Sequence, residues 1–525
     1  MSGEPCPSPA SATAAPAAVA AAAAVSGARR RLDALVAALA RLVVRIFFRE
    51  LEVVGAARLP PSGPLVAVAN HQNGMIDPLL IVAALTAPGA GRTGAARMPR
   101  FLATHTLWRN PALRPWLELG GVIPIYRPKD VGPAADPAQN AAAFARCHEQ
   151  LAAGGTVALF PEGTSHSEPG LAPLKTGAAR IVLEAARRFP GLAPRIVPVG
   201  LTFEAKGSFR SRALVEIGEP IDPSPEIALD RQLAADKAAG GDPAGGGPAA
   251  AAASAPAVRA LTARIDAGLK AVTLNYGSWE EARRIGRAAE LFSRRPGSGD
   301  TAAAGGAAGL PGEAPLAERF SLHRAFVEGY AELCRRHPQA TAAAAAAVDR
   351  YDRMLGAFGL RDDQVAATYP AAPVARWLGL TVLRLLVYLP LAVVGTALNW
   401  LPYRLVGEIA ARATREPDMP ASFKVFGGIV LFPLTWLLEA VLAARLAGPR
   451  PAAETAAALL TLAAAPLTGW VALRFDDRRG QLWREARAYL LLRSRRAIAA
   501  ELRARREAAA REVAALADLY RSLAS

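Results

Sequence analysis

Four short stretches carry side chains suited to chemistry, each at the end of an apolar run. The first, VANHQNGMIDPLLIV over 68–82, places His71 and Asp77 six positions apart. On one continuous helix, six positions rotate through roughly 600°, which leaves the two side chains on different sides. A turn between them removes that separation, and Asn73-Gly74 is a turn signal. His71 would then end a strand and Asp77 would start a helix. Neutral imidazole is suited to accept a proton near pH 7. A carboxylate on its other nitrogen fixes the tautomer and stabilises the imidazolium, so the pair could activate a hydroxyl. Taken alone, the plainer reading is favoured: a polar strand end beside a helix N-cap, with Asp77 capping and Pro78 in the first turn.

The second stretch, LFPEGTSHSEPGLAPLKTG over 159–177, runs from an apolar strand into Pro161-Glu162-Gly163-Thr164. Glu162 leaves a turn rather than an apolar face, Gly163 permits close backbone approach to a ligand, and Thr164 and Ser165 add donors. Lys175 heads a following helix. An ordinary strand-to-loop turn explains this pattern as well as a site does. The third stretch, GVIPIYR over 121–127, ends a strand in Arg127, with Lys129 beyond. Arginine there suits bidentate phosphate binding, although a solvated surface arginine is commoner. The fourth, VPVGLTF over 197–203, has no reactive group and reads as strand and pocket wall.

The elements around these stretches follow an α/β pattern. Apolar runs at 64–70, 120–127, 155–160, 195–203 and 213–221 are bounded by Gly, Pro or polar residues and read as strands. Helical patterns at 140–153 and 173–189 lie between them. The expected fold is a mostly parallel, largely buried sheet flanked by helices over 50–223, followed by a helical region with C-terminal membrane helices. Ligands in such sheets favour the carboxyl edge of the strands.

Ahead of this domain, 1–27 is an Ala/Pro-rich stretch expected to be a disordered tail. Glu4 stands where a signal sequence would be basic. Residues 28–49 repeat Leu32, Leu35, Leu39, Leu42, Val43 and Ile46 at helical spacing, with Arg29–Arg31 and Arg41 and Arg45 off that stripe. This reads as an amphipathic interfacial helix. After the domain come a linker over 224–256, a helical segment over 257–292, a second linker over 293–316 and a helical segment over 317–372. Residues 373–475 contain three apolar runs, at 385–402, 425–444 and 455–473; the first has no charge and is about long enough to span a bilayer. A basic helical tail follows over 476–525.

The 525 residues carry net charge +16, with 52% hydrophobic and 6% aromatic residues. A nucleic-acid binder would lean on lysine and aromatic platforms; anionic lipid fits this composition better, and no nucleic-acid partner is expected. Three scattered cysteines form neither a disulfide framework nor a zinc pattern.

Together, the four stretches in this order and spacing resemble the four blocks of the glycerol-phosphate acyltransferase family, which includes lysophosphatidic acid acyltransferases. Asn70-His71 with Asp77 resembles the first block, Gly121 to Arg127 the second, Phe160 to Thr164 the third, and Ile196 to Val199 the fourth. Five residues separate His71 from Asp77 where four are commonest. The longer form resembles a subgroup that acts on glycerol 3-phosphate or related acceptors. Pro124 replaces a common aromatic, and Thr104 stands near the place of a family lysine.

The resemblance implies a membrane O-acyltransferase of phospholipid biosynthesis. It would move a fatty acyl group from acyl-CoA or acyl carrier protein to a hydroxyl of glycerol 3-phosphate, or alternatively of 1-acylglycerol 3-phosphate to give phosphatidic acid. His71 would be the base and Asp77 its orienting partner. Arg127 and Lys175 would bind phosphate, and Glu162, with Gly163 and Thr164, would bind the acceptor. No metal or cofactor beyond the acyl-donor substrate is implied. Because acyl-CoA is cytosolic, the domain is expected to face the cytosol, with two membrane crossings and a third apolar run buried or lying in the interface. A reading of another class, a non-catalytic lipid-binding scaffold, keeps the fold and charge without the base.

Overall fold

The computed structural model describes residues 14–89, 98–110, 113–127, 137–239, 255–294, 305–306, 310–311, 315–367, 371–413 and 420–524. Seven strands form one sheet: β1 (Glu50–Val54), β2 (Leu65–Ala69), β3 (Arg100–Thr104), β4 (Ile123–Ile125), β5 (Thr156–Leu159), β6 (Arg195–Phe203) and β7 (Arg212–Ile217). Their order is β1-β7-β6-β2-β5-β3-β4. The pairs β6–β2, β2–β5, β5–β3 and β3–β4 are parallel. Only β6–β7 is antiparallel, while β1 runs parallel to β7 at the edge. The fold is therefore a mostly parallel sheet flanked by helices, as the strand–helix alternation implies.

Strands β2 (LVAVA) and β5 (TVAL) are buried at every position, as strands covered on both faces must be. Alternate side chains feed two cores. Ala67, Ala69, Val197 and Val199 face α1 (Ala14–Phe47) and α2 (Ile76–Leu85); Val66, Val68, Val157 and Leu159 face α4 (Pro137–Ala152) and α5 (Gly177–Arg188). A further short helix, α3 (Arg114–Gly120), leads into β4. The five expected strands are present. β1 (ELEVV) and β3 (RFLAT) were not anticipated, because charged and mixed residues interrupt their apolar pattern.

Helix α1 differs from the expected amphipathic helix over 28–49. It begins inside the stretch expected to be a tail, and residues 1–13 lie outside the described residues. Its buried face is Ala37, Ala40, Val44 and Phe47, packed on the sheet core, whereas Leu35, Leu42 and Ile46 of the expected stripe are exposed. The helix thus presents two apolar faces, one covered and one open.

The expected 224–256 linker is corrected over its first half, where Ser224–Ala239 form α6. Ile227 enters the core, Asp230 pairs with Arg187 and Glu226 with Arg264, so a polar Ala-rich segment is held as helix by tertiary contacts. Helices α7 (Ala255–Lys270), α8 (Trp279–Ser293), α9 (Leu316–Arg336), α10 (Pro338–Phe358) and α11 (Asp362–Ala366) follow. The start of α9 is seated on the sheet edge, where the Leu316 and Ala317 N–H groups donate to Glu52 on β1 (2.6 and 2.9 Å).

Three helices are long and apolar enough to cross a membrane: α12 (Ala371–Ala413), α13 (Pro420–Leu446) and α14 (Pro451–Ser494). The 425–444 run is not buried within the protein, since Leu434, Leu437, Leu438 and Val441 of α13 are exposed. One polar residue ties all three. Asn399 Nδ2 donates to the Gly395 and Ala465 carbonyls, and its Oδ1 accepts the Trp436 indole N–H at 2.9 Å. Gly395 brings α12 against α14 so closely that a Cβ would lie 2.0 Å from the Thr468 carbonyl oxygen. Helix α14 continues unbroken through the residue 475 boundary into the basic segment, and α15 (Arg496–Ala524) packs on α10. The α/β domain touches each apolar helix, through Phe209 with Tyr403, Met75 with Ser422, and Arg210 with Asp477.

Candidate active site

The carboxyl ends of β2 and β5 are adjacent, with Val68 opposite Leu159. The chain leaves β2 as Asn70-His71 and leaves β5 as Phe160-Pro161-Glu162, so the first and second stretches meet at one edge. Asn70 is buried and fixes this exit: its side chain donates to the Leu201 carbonyl at 2.9 Å and accepts the Leu201 N–H at 2.7 Å.

The turn brings His71 and Asp77 together. His71 Nδ1 lies 2.9 Å from Asp77 Oδ2. The same oxygen accepts the Gln72 and Asn73 N–H groups at 2.9 and 2.8 Å. Asp77 is the second residue of α2 rather than its N-cap, which is Met75 and has no side-chain cap bond. The carboxylate, fully buried, folds the turn and holds the imidazole at once. With Nδ1–H donated to Asp77, Nε2 carries the lone pair, and it has no hydrogen-bond partner among the described residues. The His71 ring stacks on Phe160, 4.0 Å between centroids at 13°, which fixes its plane.

Glu162 differs from its expected place as an acceptor-binding carboxylate. Its side chain is fully buried and both oxygens are engaged. Oε1 accepts the His71 backbone N–H at 2.6 Å; Oε2 accepts His166 Nε2 and the Ala172 N–H. Glu168 N–H donates to His166 Nδ1, which sets the His166 proton on Nε2. Glu162 therefore ties the second stretch to the first. Gly163 has φ +75°, a conformation that favours glycine, and its N–H donates to the Phe160 carbonyl at 3.0 Å, so this N–H is not open to a developing oxyanion. Thr164 is exposed.

The two expected phosphate-binding cations converge on Gly163. Arg127 Nη1 donates to the Gly163 carbonyl at 2.8 Å, and the exposed Lys175 lies across the Gly163 α-carbon. Arg127 is aimed by its neighbour Tyr126, whose N–H and carbonyl are both bonded to the Asn140 side chain at 2.9 and 2.7 Å. Thr104, in the place of the family lysine, caps the turn after β3 by accepting the Thr106 N–H.

Three residues at this site were not singled out from sequence. His166, within the second stretch, bonds Glu162 through Nε2. Lys206 donates to the Gln72 carbonyl (3.0 Å), the Ser167 hydroxyl (2.7 Å) and the His166 carbonyl (3.4 Å), and so joins both turns. Ser422, from α13, accepts the Met75 N–H at 2.9 Å.

Residues 50–202 match the family model described as Acyltransferase, and residues 312–521 match that of the Glycerol-3-phosphate acyltransferase 2 C-terminal domain. The chain carries an acyltransferase-family domain followed by a region of the glycerol-3-phosphate acyltransferase 2 C-terminal type. The second model covers the helices from α9 onward, including all three apolar ones, and the protein is a membrane protein. Among its relatives, Glycerol-3-phosphate O-acyltransferase 2 of Saccharomyces cerevisiae is 40% identical over 87 residues, 17% of this chain and 12% of that protein. Glycerol-3-phosphate O-acyltransferase 1 of the same yeast is 22% identical over 392 residues, 60% of this chain and 47% of that protein. A chloroplastic 1-acyl-sn-glycerol-3-phosphate acyltransferase of Brassica napus is 27% identical over 154 residues, 29% of this chain and 39% of that protein. The chain thus spans less than half the length of these relatives. The crystal structure of PlsC, the 1-acyl-sn-glycerophosphate acyltransferase of Thermotoga maritima, aligns over 38% of this chain and 72% of its own at 19% identity and a TM-score of 0.28.

Proposed function

We propose that this acyltransferase-family protein transfers a fatty acyl group from a thioester donor, acyl-CoA or acyl carrier protein, to a hydroxyl of glycerol 3-phosphate. The observation that carries this reading is the His71 imidazole, with one nitrogen held by Asp77 and the other without a hydrogen-bond partner among the described residues, joined through Glu162 to the Gly163 turn on which Arg127 and Lys175 converge. His71 Nε2 takes the acceptor's hydroxyl proton as its oxygen attacks the thioester carbonyl. The carbon–sulfur bond then breaks, and the imidazolium returns its proton to the leaving thiolate. Base catalysis of this kind contributes about 10²–10⁴-fold. Asp77 stabilises the imidazolium, and the two cations hold the acceptor's phosphate so that its hydroxyl stays near the donor, a positioning effect of comparable or larger size. Glu162 and Lys206 keep the two turns in register.

The domain faces the cytosol in this reading. The Arg210–Asp477 pair at 2.6 Å sets the basic part of α14 beside the catalytic domain, and an excess of arginine marks the cytosolic flank of an apolar run.

The test uses purified full-length protein, radiolabelled acyl-CoA and three acceptors in parallel: glycerol 3-phosphate, dihydroxyacetone phosphate and 1-acylglycerol 3-phosphate. Transfer to glycerol 3-phosphate is expected, and His71→Ala should lower it by about 10²–10⁴-fold. Transfer by His71→Ala within a few-fold of the parent would leave the scaffold reading instead.

A further inference from the structure

A second cationic site lies away from the catalytic turn, at the seam between the catalytic domain and α14. A cavity of about 320 Å³ is lined by Arg49, Glu50, Arg210, Arg474, Asp477 and Arg478. Its two acids are already neutralised. Two Arg210 bonds reach Asp477 Oδ2, at 3.1 and 2.6 Å, the buried Arg212 bridges Glu50 and Glu52 at 2.7 and 2.9 Å, and Arg49 meets Glu204 outside the lining at 3.4 Å. Arg474 and Arg478 have no carboxylate partner among the described residues. They sit one turn apart, so both reach the same side of the helix. The cavity is therefore net positive.

Its position is equally specific. Arg474 is the first charged residue after the third apolar run. Its guanidinium lies over the Trp470 ring at 5.0 Å, and that of Arg478 over the Tyr388 ring at 5.9 Å. Leu467, one turn earlier on α14, is exposed. An apolar helix ending in aromatic-stacked arginines marks the bilayer–water boundary. Arg210, on the opposite wall, is the only non-glycine among the described residues with positive φ, +63°. That strained backbone aims its side chain at Asp477 and at the Arg45 and Phe48 carbonyls at the end of α1. Strain held in this way accompanies functional sites.

We propose that this cavity binds the headgroup phosphate of an anionic phospholipid, between the two aromatic-stacked arginines of α14 and Arg49 of the catalytic domain. The site is separate from the catalytic His71, and its occupant is a lipid of the surrounding bilayer rather than a substrate. The shared chemistry is a phosphate anion, and the glycerol-linked acyl chains distinguish a lipid from free phosphate: they would lie along Leu467 and Trp470.

The test is calorimetric titration of the full chain in neutral maltoside micelles with dihexanoyl phosphatidylglycerol, a diester that is neither the proposed substrate nor its product. Saturable binding is expected, with no binding of dihexanoyl phosphatidylcholine. Arg474→Gln with Arg478→Gln should weaken it about 30-fold, as expected for two guanidinium charges at a surface. Arg49→Gln should weaken it also, without altering α14. A charge-matched control on the same helix, Arg479→Gln with Arg484→Gln, should stay within about threefold. Unchanged binding in both the α14 double variant and Arg49→Gln, equal binding of phosphatidylcholine, or displacement of the lipid by equimolar inorganic phosphate would each overturn the assignment. Acyl transfer by the double variant measures the catalytic reading independently.

Discussion

Replacing Asp77 with Asn separates the charge of the carboxylate from its role in folding the turn. Asp77 Oδ2 accepts three donors: the His71 ring and the Gln72 and Asn73 N–H groups. Asn offers one carbonyl oxygen in that place and can keep all three bonds. Its NH₂ group takes the position of Oδ1, which is buried without a partner. What disappears is the negative charge facing the imidazolium. Two unit charges about 4 Å apart interact by about 4 kcal/mol at an effective dielectric of about 20, and the amide dipole recovers part of this. A loss of about 2–4 kcal/mol from the transition state lowers kcat/KM by about 30–1,000-fold. Asp77→Ala behaves differently. It leaves two buried N–H groups without acceptors, at about 1–3 kcal/mol each, so it should lose stability as well as activity. The assay is thiol release from acyl-CoA at saturating glycerol 3-phosphate, with thermal unfolding of each variant beside it. Activity of Asp77→Asn within about threefold of the parent would refute the electrostatic role. Equal destabilisation by the Asn and Ala variants would refute the separation of charge from folding.

Three further outcomes are expected. Lys206→Met removes the ammonium that joins Gln72 to Ser167 and should lower kcat by about 10–100-fold, the worth of one or two charged hydrogen bonds; an unchanged kcat would show that the two turns hold register without it. Gly163→Ala forces a side chain into a φ +75° position with Lys175 atoms 2.9 Å away, so the KM for glycerol 3-phosphate should rise about tenfold, by about 1–2 kcal/mol of backbone strain, while the KM for acyl-CoA stays constant. Burial, reinforced by Arg319, lowers the pKa of His323 on α9 to about 4. The unfolded chain takes up that proton near pH 6.5 and the folded one does not, so stability is present above about pH 6.5 and is lost as pH falls toward 4. The loss is about 2 kcal/mol at pH 5. His323→Leu should flatten this slope in thermal unfolding followed between pH 8 and pH 5.

The His71–Asp77 pair was legible because its parts are local: two apolar runs, one turn, and two side chains that chemistry would place together. The sheet was legible for a similar reason, since fully buried strands such as LVAVA and TVAL announce themselves by composition. Glu162 shows where that legibility stops. A carboxylate after Pro161 reads as free, and only the fold reveals that His71, His166 and Ala172 surround it. Lys206 was hidden for another reason. It reaches Gln72 from a loop between two other strands, across 134 positions, with no periodicity to mark it. In α1 the leucine stripe was visible, but the packed face is built of Ala37, Ala40 and Val44, small residues that carry little hydropathy signal. Helix α6 read as linker because its alanines and charges hold a helix only through partners far along the chain, Arg187 and Arg264 among them.

The hydrogen bond from Met75 to Ser422 spans 347 positions. A ribosome that has finished the whole sheet has not yet made the residue that accepts this N–H. The loop carrying the base therefore acquires its last protein contact only after α12 has emerged and α13 has begun. The first apolar helix is made before this brace exists, and a nascent chain severed ahead of residue 422 would hold His71, Asp77, Arg127 and Lys175 yet lack the bond from Met75 to Ser422.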